Sequence, residues 1–146
     1  MEFLKITDEY AAQAAVAEKE NLDTAWSEAQ IREAVGNNDI LYIVAVESGK
    51  LYAAASCIFS MFDAQIANIA VVPERRRQGI ASRMLALIEK EARDRKLEQI
   101  CLEVASKNKG AIALYRLAGF TEAGIRKGFY RRSNDDAIIM TKGISL

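Results

Sequence analysis

The sequence predicts a mixed α/β domain in which one sheet is flanked by helices, and three observations support this class. Short β-branched and aromatic runs alternate with helical patterns through the second half of the 146 residues, as in strands joined by crossover helices. Hydrophobic residues make up 51% and charged residues 27% of the chain, as in globular proteins. No repeat, low-complexity segment or Pro/Ser-rich linker divides it, so we expect residues 1–146 to form a single domain.

The first half predicts an edge strand, two helices and an antiparallel meander. Residues 7–9 (Thr-Asp-Glu) supply a cap and first-turn acids for a helix through Ala11–Lys19, and residues 27–30 (Ser-Glu-Ala-Gln) have the capping-box spacing that starts a second helix. Turns are predicted at Glu47–Lys50 and Phe62–Gln65. The four strands are expected at residues 2–6, 40–46, 51–59 and 66–72.

The second half predicts two helices and three strands. After Pro73 a basic loop leads into an amphipathic helix, because apolar residues recur at helical spacing from Ile80 to Ala92. Another helix is expected over Asn108–Ala118, with Gly119 placed to end it. The three strands are expected at residues 99–105, 120–130 and 136–142.

The residue types present exclude several kinds of chemistry. The chain has no histidine, which excludes Ser-His-Asp and Cys-His nucleophilic catalysis and zinc sites built on histidine. Cys57 and Cys101 lie apart in apolar runs and are interpreted as reduced core residues; an acyl-accepting role for Cys101 is the weaker alternative. Acid–base chemistry must therefore come from carboxylates, tyrosine, lysine, cysteine or the backbone.

Charge and hydropathy indicate the cellular location of the protein and the classes of partner that it can bind. Lys+Arg and Asp+Glu both number 20, and this zero net charge argues against a nucleic-acid or anionic-lipid partner, although Arg75–Arg77 and Arg126–Arg132 are local basic clusters. The amino terminus lacks the features of a signal peptide, and no apolar run reaches the ~18 residues that a membrane span needs. We therefore expect a cytoplasmic protein without a membrane partner.

Between residues 73 and 82 a strand end, a glycine-bearing turn and a helix start follow one another. A helix start presents unpaired N–H groups and the positive end of its dipole, which together bind anions. Gly79 removes a Cβ where a ligand would approach the backbone, and Arg75–Arg77 add positive charge. From the pattern alone, a simple turn beside a solvated basic face remains the alternative. The loop is neither a GxxxxGK[ST] phosphate loop nor a GxGxxG dinucleotide motif.

Two motifs resemble those of the GNAT N-acetyltransferases. The segment Arg76-x-x-Gly79-x-Ala81 looks like the acetyl-CoA loop of that family. A second family motif, Asn-x-x-Ala-x-x-Leu-Tyr-x-x-x-Gly-Phe, is present as Asn108, Ala111, Leu114, Tyr115, Gly119 and Phe120. The resemblance extends across nearly the whole chain, and residues 26–28, 102–106 and 136–140 are similar to the RimI-type branch, the ribosomal-protein-alanine N-acetyltransferases.

The resemblance implies a GNAT-like fold and an acetyl-CoA-dependent reaction that needs no metal. The fold would be a mostly antiparallel mixed sheet with a splayed central pair of parallel strands. Glu103 would be the general base and Tyr115 the general acid. Acetyl-CoA, the co-substrate, would be held by a strand backbone, the basic loop, a helix start and one asparagine, namely Ile69, Ala70, Val71, Arg76, Arg77, Gln78, Gly79, Ile80, Ala81, Ser82 and Asn108.

The pattern alone leaves the roles of three of these side chains open. Glu103 shares a strand face with Cys101 and Ala105, and a solvated sheet face would also explain a carboxylate there. Tyr115 falls on the apolar side of its helix, where most residues belong to the core. Asn108 is a preferred N-cap residue even without a ligand.

The resemblance also implies an acceptor, the N-terminal alanine of a ribosomal protein. The alternatives are another small amine or a lysine, or a non-catalytic acyl-CoA-binding module. Acceptor specificity is expected in the segments that flank the cleft, Leu22–Trp26, Met61–Gln65 and Arg126–Asp135. Two departures from the branch lie there, alanine at position 25 where proline is usual and a short stretch at residues 131–135. We expect a monomer or a weak homodimer.

Overall fold

A computed structural model describes residues 1–145 as seven strands and four α-helices, which confirms the predicted α/β class. The strands are β1 (Glu2–Lys5), β2 (Ile40–Glu47), β3 (Lys50–Phe59), β4 (Asp63–Val71), β5 (Gln99–Ala105), β6 (Thr121–Tyr130) and β7 (Asp135–Gly143). The α-helices are α1 (Ala11–Asn21), α2 (Glu28–Ala34), α3 (Ile80–Asp94) and α4 (Lys109–Leu117). Short 3₁₀ turns precede α1 and α3, at Asp8–Tyr10 and Pro73–Arg75.

All seven strands form one sheet in the order β1-β2-β3-β4-β5-β7-β6. Neighbouring strands are antiparallel except β4 and β5, which are parallel and lie at the centre. Because α3 connects β4 to β5, this pair is the crossover unit that the alternation of strand and helix predicted. The mixed, mostly antiparallel sheet is therefore confirmed.

The sheet is covered by helices on both faces, so its central strands are buried on both sides. In β2, Leu41 and Ile43 belong to the core that includes α3 and α4, whereas Tyr42 and Val44 belong to the core that includes α1 and α2. This alternation follows from the two-residue period of a strand. It explains why β2 reads as a continuous apolar run rather than as an alternating one.

The predicted helix boundaries rest on two local motifs that the structure confirms. The hydroxyl of Ser27 accepts the Gln30 N–H at 3.2 Å, and the Gln30 side chain accepts the Ser27 N–H at 2.8 Å, which completes the capping box of α2. At the end of α4, Gly119 adopts φ +99° and the Phe120 N–H reaches the Tyr115 carbonyl at 3.0 Å. A side chain at Gly119 would be strained in this conformation, so the glycine ends the helix as predicted.

One predicted boundary and one predicted helix cap are wrong. The turn expected at Phe62–Gln65 lies earlier, because Asp63–Gln65 already pair with β5 and start β4. The first helix begins at Ala11 after a 3₁₀ turn, and the Thr7 side chain makes no capping hydrogen bond to it. In the first case the pairing is supplied by strands distant in sequence, which a local turn pattern does not contain.

Candidate active site

The central parallel strands separate and open a cleft between them. β4 and β5 pair at only three positions, Asp63–Gln65 with Gln99–Cys101. Beyond these pairs the gap forms a cleft of about 430 Å³ between residues 66–69 of β4 and residues 102–105 of β5. A shift in the β3–β4 register leaves Ala67 outside the ladder, and such bulges bend a strand. The splayed central pair that the family resemblance implied is therefore present.

The cleft brings together four of the predicted site residues. Ile69, Glu103, Asn108 and Tyr115 all line it, although they come from β4, from β5, from the residue that caps α4 and from α4 itself. Glu103, Asn108 and Tyr115 lie within one segment, residues 103–115, and the pairing of β4 with β5 brings Ile69 to them. The arrangement places one carboxylate, one amide and one phenol around a common space.

Gly79 forms the start of α3, at the end of the loop that follows β4. It is the N-cap residue with φ +78°, and a Cβ built on it would meet no protein atom within 4 Å. The Arg83 N–H makes the first helical hydrogen bond, to the Gly79 carbonyl at 3.0 Å, so the N–H groups of residues 80–82 have no partner inside the helix. The predicted helix start is confirmed, and its open space and N–H groups fit a diphosphate.

Two of the three arginines in the loop are engaged within the protein. Arg75 donates to the Glu47 carboxylate at 2.6 Å, and this hydrogen bond lowers the pKa of Glu47. Arg76 donates from Nε to the Val71 carbonyl at 3.0 Å and from Nη2 to Asn21 Oδ1 at 2.8 Å. These contacts tie the loop to β4 and to α1, so Arg76 has a structural task whether or not a ligand is bound.

The other predicted donor-site residues differ in what they offer a ligand. Arg77 and Gln78 are exposed and make no side-chain hydrogen bond within residues 1–145, so their polar groups are available. Ala70 and Ile80 have side chains buried in the core, which leaves only their backbone to meet a ligand. Ser82 lines a groove of about 340 Å³ between α3 and α4.

Glu103 stands on the half-buried face of β5, and its two carboxylate oxygens have different surroundings. The neighbouring Leu102 and Val104 point into the core, as the alternation of the strand predicted. Glu103 Oε1 accepts from Arg126 Nη1 at 2.6 Å. Oε2 is buried and has no hydrogen-bond partner within residues 1–145. One oxygen is thus held, and the other can accept from a donor that enters the cleft.

Two tyrosines face the cleft, and sequence reasoning singled out only one of them. Tyr115 packs edge-on against Phe120 with 5.9 Å between ring centroids, and burial, with a smaller effect of Tyr130, raises the pKa of Tyr115 to about 12. Burial and nearby carboxylates, Glu103 first among them, raise the pKa of Tyr130 to about 12. Both phenols are protonated at neutral pH, so both can donate a proton or a hydrogen bond.

Asn108 is the N-cap residue of α4. This is the role that its residue type predicts even without a ligand. Its Oδ1 accepts the Ala111 N–H at 3.1 Å. The Nδ2 group makes no hydrogen bond within residues 1–145, and Asn108 lines the cleft. The cap and a contact to a ligand are therefore compatible.

Sequence reasoning missed a buried polar network behind the cleft. Glu18 of α1 is 1% exposed, and its Oε1 accepts from Asn68 Nδ2 and from the Trp26 N–H, each at 2.8 Å. Its Oε2 accepts from the Tyr42 hydroxyl. Burial raises the pKa of Glu18 despite these three donors. Asn68 also accepts from the Thr24 hydroxyl at 3.1 Å, so the network fixes the segment between α1 and α2 against β4.

Two of the three segments expected to flank an acceptor meet at the mouth of the cleft. Ser133, in Arg126–Asp135, donates to Asp23 Oδ2, in Leu22–Trp26, at 2.6 Å, and both residues line the cleft. The Met61–Gln65 segment does not line it, because it lies at the end where β4 and β5 are paired. Of the segments expected to flank an acceptor, those in the α1–α2 and β6–β7 connections therefore line the cleft.

The structure also bears on the two cysteines, on metal ligands and on membrane-spanning helices. Cys57 and Cys101 are free thiols outside the cleft, and burial raises the pKa of both, that of Cys57 to about 12. Within residues 1–145, no three His, Cys, Asp or Glu side chains gather where they could hold a metal ion. No helix of this part is long and apolar enough to cross a membrane.

Comparison with known proteins places the chain in a family. The model of the Acetyltransferase (GNAT) family matches residues 4–120. The ribosomal protein bS18-alanine N-acetyltransferase of Escherichia coli (strain K12) is 36% identical over 123 residues, which cover 83% of this chain and 82% of that protein. The N-alpha-acetyltransferase RimI of Mycobacterium tuberculosis (strain H37Rv) is 32% identical over 124 residues, 82% of this chain and 77% of that protein.

A solved structure agrees with this placement. The crystal structure of the ribosomal-protein-S18-alanine N-acetyltransferase from Escherichia coli matches with a TM-score of 0.87 and 31% identity, over 99% of this chain and 94% of that chain. The likeness therefore covers the sheet, the four helices and the cleft between β4 and β5. The chain belongs to the GNAT acetyltransferase family, as an acetyltransferase with relatives of the RimI type.

Proposed function

We propose that the protein is an acetyl-CoA-dependent Nα-acetyltransferase that modifies the N-terminal alanine of a ribosomal protein in the cytoplasm. The observation that carries this proposal is the 36% identity to the bS18-alanine N-acetyltransferase over 83% of this chain and 82% of that one. A cleft that gathers Glu103, Asn108 and Tyr115 supports it, and so does the open helix start at Gly79.

The chemistry of the acceptor favours an α-amine over a lysine. An amine must be neutral to attack a thioester, and an α-amine has a pKa of about 7.7–8.0 whereas lysine has one of about 10.4. The difference of about 2.5 units corresponds to about 3.5 kcal/mol of additional work to form the neutral lysine amine. A site with one carboxylate base therefore serves an α-amine more readily.

We assign the two proton transfers to Glu103 and Tyr115. The amine nitrogen forms a bond to the acetyl carbonyl carbon while the bond from that carbon to sulfur breaks. Glu103 takes the proton from the amine, directly or through a water, and its unpartnered Oε2 suits this role. Tyr115 gives its proton to the departing thiolate, since burial keeps its phenol protonated. The proton count then balances between one acid and one base.

The residues of the donor half fit the co-substrate. Pairing of β4 with β5 ends at Gln65, so the backbone of Ile69–Val71 has no neighbouring strand on that side, and Ile69 lines the cleft. The open space at Gly79 admits a phosphate close to the backbone, where residues 80–82 offer N–H groups. Arg77 adds a cation at the rim, and Asn108 Nδ2 offers a further donor.

The proposal is tested by turnover of an alanine-terminated ribosomal peptide with acetyl-CoA. CoA release and a mass increase of one acetyl group on the peptide α-amine are expected with the native chain. Glu103→Gln and Tyr115→Phe should each lower kcat at least about tenfold, because general acid–base catalysis typically contributes this much or more. Native rates in both variants would reject the assigned roles.

The identity of the acceptor amine is tested separately from the roles of Glu103 and Tyr115. The same peptide with its α-amine blocked and a lysine left free should be a poor acceptor, as should small amines. Faster acetylation of the lysine peptide than of the free α-amine would reject the Nα assignment while leaving the acetyltransferase assignment in place.

A further inference from the structure

Arg126 of β6 reaches across β7 to contact the proposed base. β7 lies between β5 and β6 in the sheet, with Ile139 opposite Glu103 and Ala137 opposite Arg126. From this diagonal position Arg126 Nη1 donates to Glu103 Oε1 at 2.6 Å. The contact thus joins two strands that are not hydrogen-bonded to each other.

The local structure of β6 favours the contact of Arg126 with Glu103. The β6–β7 register shifts between Arg126 and Tyr130, and such bulges re-aim side chains next to active sites. The guanidinium also lies 4.6 Å from the centre of the Phe129 ring, a cation–π contact that limits where it can go. The position of Arg126 is therefore set by its own strand and not by Glu103 alone.

The ion pair between Arg126 and Glu103 contributes little to the stability of the fold. The Arg126 side chain is 54% exposed and that of Glu103 is 21% exposed, and ion pairs with an exposed partner contribute little to folding. The two oxygens of Glu103 are nevertheless treated differently, because one is bonded and the other is buried without a partner within residues 1–145. An unpartnered buried oxygen in a cleft points to a donor that arrives with the substrate.

We propose that Arg126 is a positioning residue for acetyl transfer, which holds Glu103 Oε1 so that Oε2 faces the acceptor amine. This inference rests on the proposed role of Glu103 as general base. Arg126 touches neither reactant and acts through the carboxylate.

The remaining titratable groups around Glu103 leave Arg126 as the cation in contact with it. Tyr115 and Tyr130 stay protonated, with pKa values raised to about 12, and burial raises the pKa of Cys101 on the same strand face. Lys107 donates to the Asn134 carbonyl at 3.4 Å. The carboxylates that line the cleft besides Glu103 are Asp23 and Asp135. A hydrogen bond from Ser106 lowers the pKa of Asp135, and Asp23 accepts from Ser133.

The test is the split between kcat and KM in Arg126→Gln and Arg126→Lys. With the alanine-terminated peptide, Arg126→Gln should lower kcat about three- to tenfold and leave the KM for the peptide nearly unchanged, because a misplaced base slows the chemical step and not binding. Arg126→Lys should restore most of kcat, since it keeps a cationic donor. The KM for acetyl-CoA should not change, because Arg126 is not among the residues proposed to hold acetyl-CoA.

A matched control and an acceptor-independent measurement separate the possible failures. Arg116→Gln breaks a surface pair with Glu122 of 2.9 Å and should leave kcat unchanged. The NMR resonance of the Glu103 side-chain carboxyl, recorded at neutral pH without acceptor, should differ between the native protein and Arg126→Gln. A native kcat in Arg126→Gln would overturn the proposal, and so would faster turnover. A changed resonance with no peptide turned over by the native protein would support the Arg126–Glu103 contact and count against the proposed acceptor.

Discussion

Glu18 shows how one buried carboxylate positions a segment that lies far from it in sequence. Its oxygens accept from Trp26, Tyr42 and Asn68, which are 8, 24 and 50 residues away. Asn68 forms part of the cleft wall, and Trp26 belongs to the connection between α1 and α2, whose residues 22–24 line the cleft. The carboxylate thus links the core of one sheet face to the geometry of the site.

Replacement of Glu18 by alanine should be strongly destabilising. It would leave the Tyr42 hydroxyl and the Asn68 amide buried without their acceptor, at about 1–3 kcal/mol for each group. We expect the free energy of unfolding to fall by about 2–5 kcal/mol in urea titrations. Glu18→Gln is the matched control, since its amide oxygen can still accept two of the hydrogen bonds. A native-like Glu18→Ala would contradict this account of the network.

The same residue gives stability a dependence on pH with a definite sign. Burial raises the pKa of Glu18 above its ordinary value of 4.5, so the folded protein holds this proton more tightly than the unfolded chain does. The favourable contribution is fully present below the unfolded pKa and is lost as the pH rises through the folded pKa. The stability of Glu18→Gln relative to the native protein should therefore increase over this range, as measured by urea midpoints between about pH 4 and 8. A constant difference would contradict it.

At the scale of residues, local sequence patterns were sufficient to predict a contact when its two partners are close in sequence. The capping box of Ser27 and Gln30 and the helix stop at Gly119 each span a few residues, and both are as predicted. Glu18 stands four residues after the buried Ala14 on the inner face of α1, a signal that could have marked it. Its partners could not have been named, because the sheet brings them together.

At the scale of elements, the connections α1–α2 and β6–β7 meet through a side-chain contact whose loss should cost little stability. The Ser133–Asp23 hydrogen bond of 2.6 Å joins two exposed residues, so Ser133→Ala should change the free energy of unfolding by less than about 0.5 kcal/mol. The KM for the acceptor peptide should rise about two- to fivefold, because both residues line the cleft, and the KM for acetyl-CoA should stay constant.

A double-mutant cycle identifies the cause of that change. Asp23→Ala should raise the acceptor KM by a similar factor, and Asp23→Ala with Ser133→Ala should do no more than either alone, because both remove the same contact. Fully additive effects would show that each residue meets the acceptor independently of the other.

The elements themselves were predicted more completely than their arrangement. The strand, loop and helix around Gly79 were placed from a glycine, a proline and a helical repeat, all local signals. The start of β4 at Asp63 was missed because Asp63–Gln65 are specified by pairing with β5. The parallel contact of β4 with β5 came from family resemblance, since no local pattern states which strands become neighbours.

At the scale of the whole molecule, binding of acetyl-CoA should stabilise the fold. A ligand at about 100 times its Kd adds about 2.7 kcal/mol, which raises Tm by roughly 5–10 °C for a domain of this size. Gly79→Glu should abolish this shift, because its carboxylate would occupy the open space and repel phosphate at the helix start. Differential scanning fluorimetry with acetyl-CoA measures both.

Gly79→Ala separates backbone strain from loss of the ligand. The φ of +78° costs a non-glycine residue about 1 kcal/mol, but the added Cβ would meet no protein atom within 4 Å. This variant should therefore fold with a slightly lower Tm and keep part of the acetyl-CoA shift. A full shift in a folded Gly79→Glu protein would reject the phosphate site.

The separation of β4 from β5 divides the sheet into two panels joined by a short seam. One panel contains β1–β4 and the other β5–β7, and three residue pairs connect them through the backbone ladder. α3 packs on strands of both panels and holds them together from one face. Away from the seam, a change in the angle between the panels breaks no ladder hydrogen bond. Contacts across the mouth of the cleft, such as the hydrogen bond from Ser133 to Asp23, therefore join the two panels where the backbone ladder does not.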